Sequence, residues 1–182
     1  LIGRDKDPRL TIVHAADVIN MEDSATAALR EKKKSSVTVA ADLVKQGLAA
    51  GLFSAGHTGA AVAATVVKWR TLAGIERPGI AAVFPAPSGK FVLLDAGATV
   101  DAKPEHLLQY ALMGEVYARE ILGCKVPRIG LLSVGTEDAK GNELTKGAFK
   151  LLSAVPDLHF VGNVEGHDLF ENVVDVVVCD GF

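Results

Sequence analysis

The sequence has little of several features that mark particular protein classes. It contains two cysteines, Cys124 and Cys179, and neither has a second cysteine or a histidine at the short spacing of a structural zinc site. The longest uncharged apolar run, Gly59 to Val67, ends at Lys68 and is well short of the ~20 residues that cross a bilayer. Scarce cysteine favours a reducing, cytoplasmic setting, and no membrane span is predicted.

An excess of positive charge is also missing. Lysine and arginine total 19 against 22 aspartates and glutamates, which gives a net charge of -3 and argues against nucleic-acid binding over a broad surface. The start, Leu1 to Asp5, has neither an initiator methionine nor the basic and apolar regions of a signal peptide, and the sequence stops just after a strongly apolar run. We therefore expect both ends to be cut, with residues 1–182 forming one α/β domain of a longer chain.

The hydrophobic fraction of 49% is high enough for a sizeable core, which excludes a disordered chain. Short β-branched runs alternate with longer segments of helical period, and this predicts the α/β class with a mostly parallel sheet covered by helices. Val173 to Cys179 is almost continuously apolar and is predicted to be central. The other predicted strands are Leu10 to His14, Leu52 to Ser54, Ile80 to Phe84, Phe91 to Asp95, Arg128 to Ser133 and His159 to Val161.

Five segments are predicted to be helices. Ser36 to Gln46 has one apolar stripe, a serine at 35 or 36 that can cap its start, and Gly47 to end it. Pro104 to Leu122 begins with proline in the first turn and is stopped by Gly123. The other three are Ser24 to Lys33, Thr58 to Leu72 and Asn142 to Leu152.

Ligands of open α/β sheets sit beyond the carboxyl ends of the strands, where helix N-termini offer free N–H groups and a partial positive charge. Four predicted strands run directly into polar turns that contain glycine. These turns are Ser54 to Gly59, Asp95 to Asp101, Gly135 to Glu143 and Gly162 to Asp168. They are the candidate binding segments.

The Ser54 to Gly59 turn has the composition of an anion site. Gly56 and Gly59 let backbone amides approach a phosphate, while Ser54 and Thr58 supply hydroxyls, one of which can cap the following helix. A plain strand-to-helix turn accounts for the same residues. The spacing matches neither a Walker loop nor a dinucleotide fingerprint, and His57 fits a surface position as well as a ligand contact.

The other turns leave their roles open. Lys140 lies near the start of a helix, where a lysine gains nothing from the helix dipole, so it fits either a positioned cation or a solvated loop residue. Asp95 and Asp101 could form a metal or acid/base pair, although turn and capping roles are commoner for aspartate. Asp180 follows the last strand, where a site residue would sit, and beside it Cys179 fits a buried apolar position better than a nucleophile.

Taken together, these segments resemble a known family. The matching stretches are Ile12 to Ala15, Met21 to Ser24, Leu29 to Ser36, Ser54 to Ala60, Val100 to Leu107, Lys140 to Leu144, Gly162 to Gly166 and Val176 to Phe182. In this order they resemble the bacterial phosphate acyltransferase of phospholipid synthesis, the PlsX family, from about Leu10 to the end of the chain.

The resemblance implies that the protein moves a fatty acyl group from acyl carrier protein to inorganic phosphate, forming acyl phosphate. It also implies a three-layer α/β/α fold related to phosphate acetyltransferase and isopropylmalate dehydrogenase, a homodimer, no metal or redox cofactor, and peripheral contact with the inner face of the cell membrane through segments that this chain lacks. Phosphate is itself the nucleophile in such a reaction, so it needs only to be held beside the thioester carbonyl.

Site residues follow from the same resemblance. It places phosphate near Ser54, Gly56, His57, Thr58 and Gly59 and near Asn163. Lys140 would meet the developing negative charge, and Asn142, Glu143 and Asp180 would shape the cleft, so Lys140, Asn142 and Asp180 are the candidate catalytic residues.

Three positions depart from the family's usual residues. His57 and Thr99 stand where asparagine is usual, and His167 stands where arginine is usual. The histidines retain hydrogen-bonding capacity but would make anion affinity depend on pH. The three departures and the missing end segments keep a non-catalytic anion-binding domain open as an alternative. The related acetyltransferases keep open a second one, a transferase that uses small acyl-CoA thioesters.

Overall fold

Two compact units, Leu1–Thr71 and Leu72–Phe182, make up the chain in this computed structural model. The structure describes residues 7–87 and 89–182, so the first residues, on which the expectation of a cut N-terminus partly rests, lie outside it. No helix in the described residues is long and apolar enough to span a membrane. The prediction of one domain over residues 1–182 stays a prediction.

The first unit is built from three helices, α1 (Ala25–Glu31), α2 (Ser36–Lys45) and α3 (Thr58–Trp69), as the sequence predicts. α3 packs against both of the others. The core between them consists of small side chains, Ala28, Ala41, Ala60 and Ala64, all almost fully buried. The indole N–H of Trp69 donates to the carbonyl oxygen of Ala41 at 2.9 Å, which ties the end of α3 to α2.

The ends of α2 confirm their sequence signals. The Ser35 hydroxyl oxygen accepts the Thr38 N–H, so Ser35 is the N-cap. At the other end Gly47 has a φ of +73°, and the Leu48 N–H beyond it donates to the Leu43 carbonyl. This is the glycine-terminated helix end that the sequence predicts.

Two predicted strands of this unit are wrong. Leu10 to His14 and Leu52 to Ser54 are irregular, and Ile12 and Phe53 are 68% and 94% exposed. A strand needs a neighbour for its N–H and C=O groups, and no strand runs beside either segment among the described residues of this unit. A β-branched run alone therefore did not establish a strand here.

The second unit is a five-stranded sheet with helices. Its strands are β1 (Ala82–Ala86), β2 (Gly89–Leu94), β3 (Ile129–Leu132), β4 (Phe160–Val164) and β5 (Val176–Val178), and its helices are α4 (Pro104–Glu120), α5 (Glu143–Ser153) and a short 3-10 turn, Asp168–Phe170. The strand order is β1-β2-β5-β3-β4, and only the β1–β2 pair is antiparallel. The predicted mostly parallel sheet and the central position of the last strand are confirmed.

Burial on both faces explains the apolar run of β5. Val176 and Val178 belong to the core that α4 and α5 cover, together with Leu107 and Leu152. Val177 points to the opposite face, into a smaller cluster that includes Phe91. A strand with core on both sides has no polar face, which is why its sequence does not alternate.

Strand β4 is longer than predicted. Gly162, Asn163 and Val164, expected to begin a turn, are paired with β3, and Val161 is an extra residue between the pairs Ile129–Phe160 and Gly130–Gly162. Gly162 has a φ of +98°, which glycine adopts readily. The bulge carries the strand through residues that read as a glycine turn in the sequence.

An ion pair closes the amino ends of β3 and β5. The Arg128 guanidinium donates to both carboxylate oxygens of Asp175 at 3.0 Å, and it also donates to the carbonyl oxygen of Asn172. Burial by itself raises the pKa of Asp175, but the hydrogen bonds and charge of Arg128 outweigh burial, so this pKa lies below its usual value. The pair therefore links stability to pH.

We expect Asp175→Asn to lower the free energy of unfolding at pH 7 by about 2 kcal/mol, because a charge-assisted pair is lost. A carboxyl whose folded pKa is depressed stabilises the fold above its unfolded pKa of ~3.9 and loses that contribution as pH falls through the folded pKa. Urea unfolding at pH values from neutral to acid should therefore show a shallower acid loss in the variant. The exposed Asp157→Asn is the control, and equal acid slopes in all three proteins would contradict the assignment.

Candidate active site

A cleft of about 360 Å³ opens in the second unit at the carboxyl ends of β3 and β5. The end of β3, the start of α5 and the residues after β5 form its walls. Its polar lining residues are Ser133, Asn142, Thr145, Cys179 and Asp180, and among the described residues that line it Asp180 alone is charged. Ligands of parallel sheets bind at this edge, so the cleft lies where the sequence predicts a site.

Asn142 brings the start of α5 into the cleft. Its side-chain oxygen accepts the Thr145 N–H at 2.9 Å, so it is the N-cap of the helix. Its own NH₂ group and the backbone N–H groups of Glu143 and Leu144 have no acceptor among the described residues. These donors lie at the positive end of the helix dipole and can bind a carbonyl or phosphate oxygen.

A hydrogen bond from Asn163 supports the loop that carries Lys140. The Asn163 NH₂ group donates to the carbonyl oxygen of Glu137 at 2.8 Å, and Asn163 is 6% exposed. Lys140 is exposed, its backbone N–H also donates to Glu137, and its stem lies over Gly135. Neither Lys140 nor Asn163 is a lining residue of the cleft, so Asn163, expected to contact phosphate, supports the Lys140 loop in this structure.

Two buried polar atoms near this edge lack hydrogen-bond partners among the described residues. They are the Ser133 hydroxyl oxygen and the side-chain oxygen of Asn163. Buried polar atoms are usually hydrogen-bonded, because an unpaired one costs ~1–3 kcal/mol. Ser133 is the first residue beyond β3, and sequence analysis did not single it out. The rule that selected the glycine turns, a polar residue at the carboxyl end of a buried strand, would have found it.

Cys179 and Asp180 are adjacent just beyond the end of β5, and the environment of Cys179 makes its thiol a poor nucleophile. Burial, followed by the charge of Asp180, raises the pKa of the Cys179 thiol to about 11. The thiol donates to the Asp95 carbonyl oxygen at 3.3 Å. The interpretation of Cys179 as a buried residue rather than a nucleophile agrees with this environment.

Cys179 is therefore expected to react with iodoacetamide at pH 8 about 10²-fold more slowly than an unperturbed thiol, because only the thiolate is nucleophilic. Mass spectrometry of the peptide that contains Cys179, with glutathione as the reference thiol, measures the rate. Labelling as fast as glutathione would contradict the raised pKa. The urea-unfolded protein is the control, since unfolding should restore ordinary reactivity.

In the first unit, the turn before α3 is capped by His57 rather than by Ser54 or Thr58, which corrects the sequence prediction. The Ala60 N–H donates to His57 Nδ1 at 3.2 Å, and His57 Nε2 lies 2.9 Å from the carbonyl oxygen of Asp23. A neutral imidazole with its proton on Nε2 satisfies both contacts, because Nδ1 then accepts. Both ring nitrogens are thus used within the protein. Ser54 instead accepts the Gly56 N–H.

A separate cleft of about 170 Å³ lies within the first unit, beside this turn. It is lined by Ser54, Gly56 and His57, by Ser36 and Val37 from the start of α2, and by the segment before α1 that includes Asp17. The backbone N–H groups of residues 37, 58 and 59 have no acceptor among the described residues, whereas that of residue 36 faces Asp17 in an isolated parallel bridge between Asp17 and Ser35. Two helix N-termini therefore present free donors around this cleft and can bind an anion, although the carboxylate of Asp17 also lines it.

The remaining candidates do not line either cleft. The Asp95 carboxylate is buried and accepts backbone N–H groups of its own turn, whereas Asp101 is exposed. Asp95 therefore has the turn role that is common for aspartate and does not form an acid/base pair with Asp101. Thr99 is buried beside Asp95, and His167 lies exposed against Asp168. Within residues 7–87 and 89–182, no group of three or more histidines, cysteines and carboxylates is placed to hold a metal ion.

Comparison with known proteins gives a consistent family. Residues 2–182 match the family described as fatty acid synthesis protein. Similar curated proteins named phosphate acyltransferase come from Lawsonia intracellularis (49% identity, 97% of this chain and 51% of that protein), Geobacillus thermodenitrificans (54%, 97% and 54%) and Bacillus cytotoxicus (52%, 100% and 58%). The chain spans about half the length of the curated relatives it matches.

A solved structure shows a similar fold. The phosphotransacetylase EutD from Staphylococcus aureus superposes with a TM-score of 0.58 at 16% identity, over 88% of this chain and 61% of that one. At this identity the likeness concerns the fold alone. It confirms the predicted α/β class related to phosphate acetyltransferase.

Proposed function

The chain belongs to the fatty acid synthesis protein family, and we propose that the whole protein moves a fatty acyl group from acyl carrier protein to inorganic phosphate, giving acyl phosphate for phospholipid synthesis. The observation that carries the proposal is the near 50% identity, over almost the whole chain, to proteins named phosphate acyltransferase. The same proposal includes a homodimer that works in the cytoplasm, with peripheral contact to the membrane.

The chemistry needs no nucleophilic side chain. An oxygen of phosphate attacks the thioester carbonyl carbon, the new C–O bond forms, and the C–S bond then breaks to release the carrier protein thiol. The proton that a phosphate monoanion loses ends on the departing sulfur. The protein has to hold phosphate, align the thioester and stabilise the oxyanion of the tetrahedral intermediate.

The cleft of the second unit suits the acyl thioester better than a free anion. Besides its polar residues it is lined by Leu132, Val134, Leu144 and Phe182, and these apolar walls suit an acyl chain. The free NH₂ group of Asn142 can donate to the thioester carbonyl oxygen. Asp180, the carboxylate of this cleft, can deliver a proton to the departing sulfur.

The turn of the first unit suits phosphate. Its free N–H groups come from two helix starts, and Ser54 adds a hydroxyl. Backbone donors can bind phosphate without a cationic side chain. Lys140 supplies positive charge for the oxyanion in this proposal, as the family resemblance implies.

The decisive experiment incubates the full-length protein with a long-chain acyl carrier protein and inorganic phosphate. We expect phosphate-dependent release of the carrier protein thiol, with acyl phosphate identified by phosphorus NMR. Acetyl-CoA in place of the carrier protein tests the small-thioester alternative in the same assay. If the protein turned over acetyl-CoA but not the acyl carrier protein thioester, the proposal would be wrong and the small-thioester alternative right. If it bound phosphate but turned over neither thioester, it would be a non-catalytic anion-binding protein.

A further inference from the structure

Asp95 is a buried carboxylate that lies outside the cleft. It follows β2, is 1% exposed, and has no lysine, arginine or histidine within ion-pair distance among the described residues. Backbone N–H groups compensate it instead. Ile80 donates to Oδ1 at 2.8 Å, Ala98 donates to both oxygens at 3.0 and 3.1 Å, and Thr99 donates to Oδ2 at 2.8 Å. A buried charge is tolerated only with such a set of donors.

This turn is tied to the end of β5, which carries Asp180. The Asp95 N–H donates to the Cys179 carbonyl oxygen at 3.1 Å, and the Cys179 thiol donates to the Asp95 carbonyl oxygen. One step further along the chain, the Gly181 N–H donates to the carbonyl oxygen of Thr99 at 2.8 Å. Asp180 is thus held on both sides by residues that Asp95 organises.

Packing at Gly181 shows how close this contact is. A Cβ added there would lie 2.7 Å from the Thr99 nitrogen, 2.8 Å from Asp95 Oδ2 and 2.8 Å from the Thr99 oxygen. Real Cβ atoms do not approach backbone atoms so closely, so any larger residue would push the segment after β5 away from the turn. Only glycine allows the backbone beside Asp180 to reach Asp95.

A carboxylate suits this position in a way that asparagine does not. Both oxygens of Asp95 accept N–H groups, with Thr99 bound to Oδ2 alone. In Asp95→Asn one of the two positions becomes an NH₂ donor, which would face an N–H donor instead of accepting from it. Either orientation of the amide leaves Ile80 or Thr99 without its acceptor, so the turn that links to Gly181 is weakened in both.

We infer that Asp95 is a positioning residue for the reaction, which sets the place of Asp180 in the cleft through the Thr99–Gly181 contact. The inference rests on the proposed function, because it assigns Asp180 a part in acyl transfer. Asp95 itself touches no substrate in this arrangement, since it lies behind the residues that line the cleft.

The first test measures the contact without measuring activity. Hydrogen–deuterium exchange of the full-length protein, read in peptides covering residues 95–99 and 179–182, should be faster in Asp95→Asn by about 10-fold or more at Thr99 and Gly181. The peptide covering β2 should be unchanged. Asp101→Asn, the exposed aspartate of the same turn, is the matched control and should exchange like the wild type. Unchanged exchange at Gly181 in Asp95→Asn would overturn the inference.

The second test is a double-mutant cycle on kcat/KM for acyl phosphate formation. We expect Asp95→Asn to lower kcat/KM roughly 10²-fold in the wild-type background, as misplacement of a reacting group does, but less than about twofold further in the Asp180→Ala background. A merely structural role would lower activity equally in both backgrounds, which would overturn the inference, as would full activity of Asp180→Ala. Asp101→Asn should retain wild-type kinetics.

Gly181→Ala is a second variant that disturbs the same contact and serves if Asp95→Asn folds poorly. It leaves the buried carboxylate in place and lies outside the strands, so we expect a smaller loss of stability than in Asp95→Asn, while kcat/KM falls to the same extent. Gly166→Ala, where an added Cβ meets nothing within 4 Å, is the control. Full activity of Gly181→Ala would overturn the inference. A wild-type protein that forms no acyl phosphate would overturn the proposed function instead, and the exchange result would then still decide whether Asp95 holds Gly181.

Discussion

Replacing Lys140 by alanine in the full-length protein is expected to lower kcat for acyl phosphate formation about 10²- to 10³-fold, the usual cost of removing one oxyanion donor. The ammonium is needed only when negative charge develops on the carbonyl oxygen, so KM for phosphate should change little. Lys140 is exposed on a loop that Asn163 supports, and its stem rests on Gly135. Its head is therefore free to meet substrate.

Lys146→Ala is the matched control, because Lys146 is also exposed and lies on α5, which follows the same loop. Steady-state kinetics over a range of phosphate concentrations separate kcat from KM. Lys140→Arg should recover part of the loss, since it keeps the charge but changes its geometry. If Lys140→Ala turned over as fast as Lys146→Ala, the electrostatic role of Lys140 would be wrong.

Gly130→Ala is expected to produce the largest loss of stability, about 3 kcal/mol, through overpacking. Gly130 lies in β3, and an added Cβ would lie 2.7 and 2.8 Å from the two Cγ atoms of Val164 and 2.8 Å from Cγ1 of Val174. Both valines are almost fully buried in the smaller core cluster, so neither can move aside easily. Urea unfolding of the full-length protein measures the change.

A compensating variant distinguishes overcrowding from a backbone effect. Val164→Ala removes two of the three crowding atoms, so the double variant should be more stable than the sum of the single losses by at least about 1 kcal/mol. Gly166→Ala, in open space, should lie within ~0.5 kcal/mol of the wild type. Additive losses in the double variant would show that the methyl groups are not the cause.

The sequence predicted the helices and the centre of the sheet well because those signals are local. Ser35 and Gly47 determine the ends of α2 through their own hydrogen bonds and φ angle, and the apolar run of β5 reflects burial on both faces. Strand pairing is not local. The residues of Leu10 to His14 carry no information on whether a partner strand exists. The extra residue Val161 in β4 can likewise be recognised only from the pairing of β4 with β3.

The sequence predicted site residues that lie at the carboxyl ends of strands, but it did not predict roles that depend on hydrogen bonds between residues distant in the chain. Asn142 and Asp180 share a cleft, as expected for residues at the carboxyl edge of one sheet. His57 was not expected to cap α3, because its tautomer depends on the distant Asp23 carbonyl. The partner of Asn163 was not predicted either, because the Glu137 carbonyl oxygen lies beside the Asn163 side chain only in the folded chain.

The strand order has a consequence for synthesis on the ribosome. β5 comes last among the five strands in the chain, yet it lies between β2 and β3, which do not pair with each other. Until β5 emerges, β1–β2 and β3–β4 are two separate ribbons, each with an open edge that can pair with a wrong strand. Completion of this sheet therefore waits for a three-residue segment, Val176–Val178, and translation that slows before it prolongs the interval in which nascent chains can aggregate.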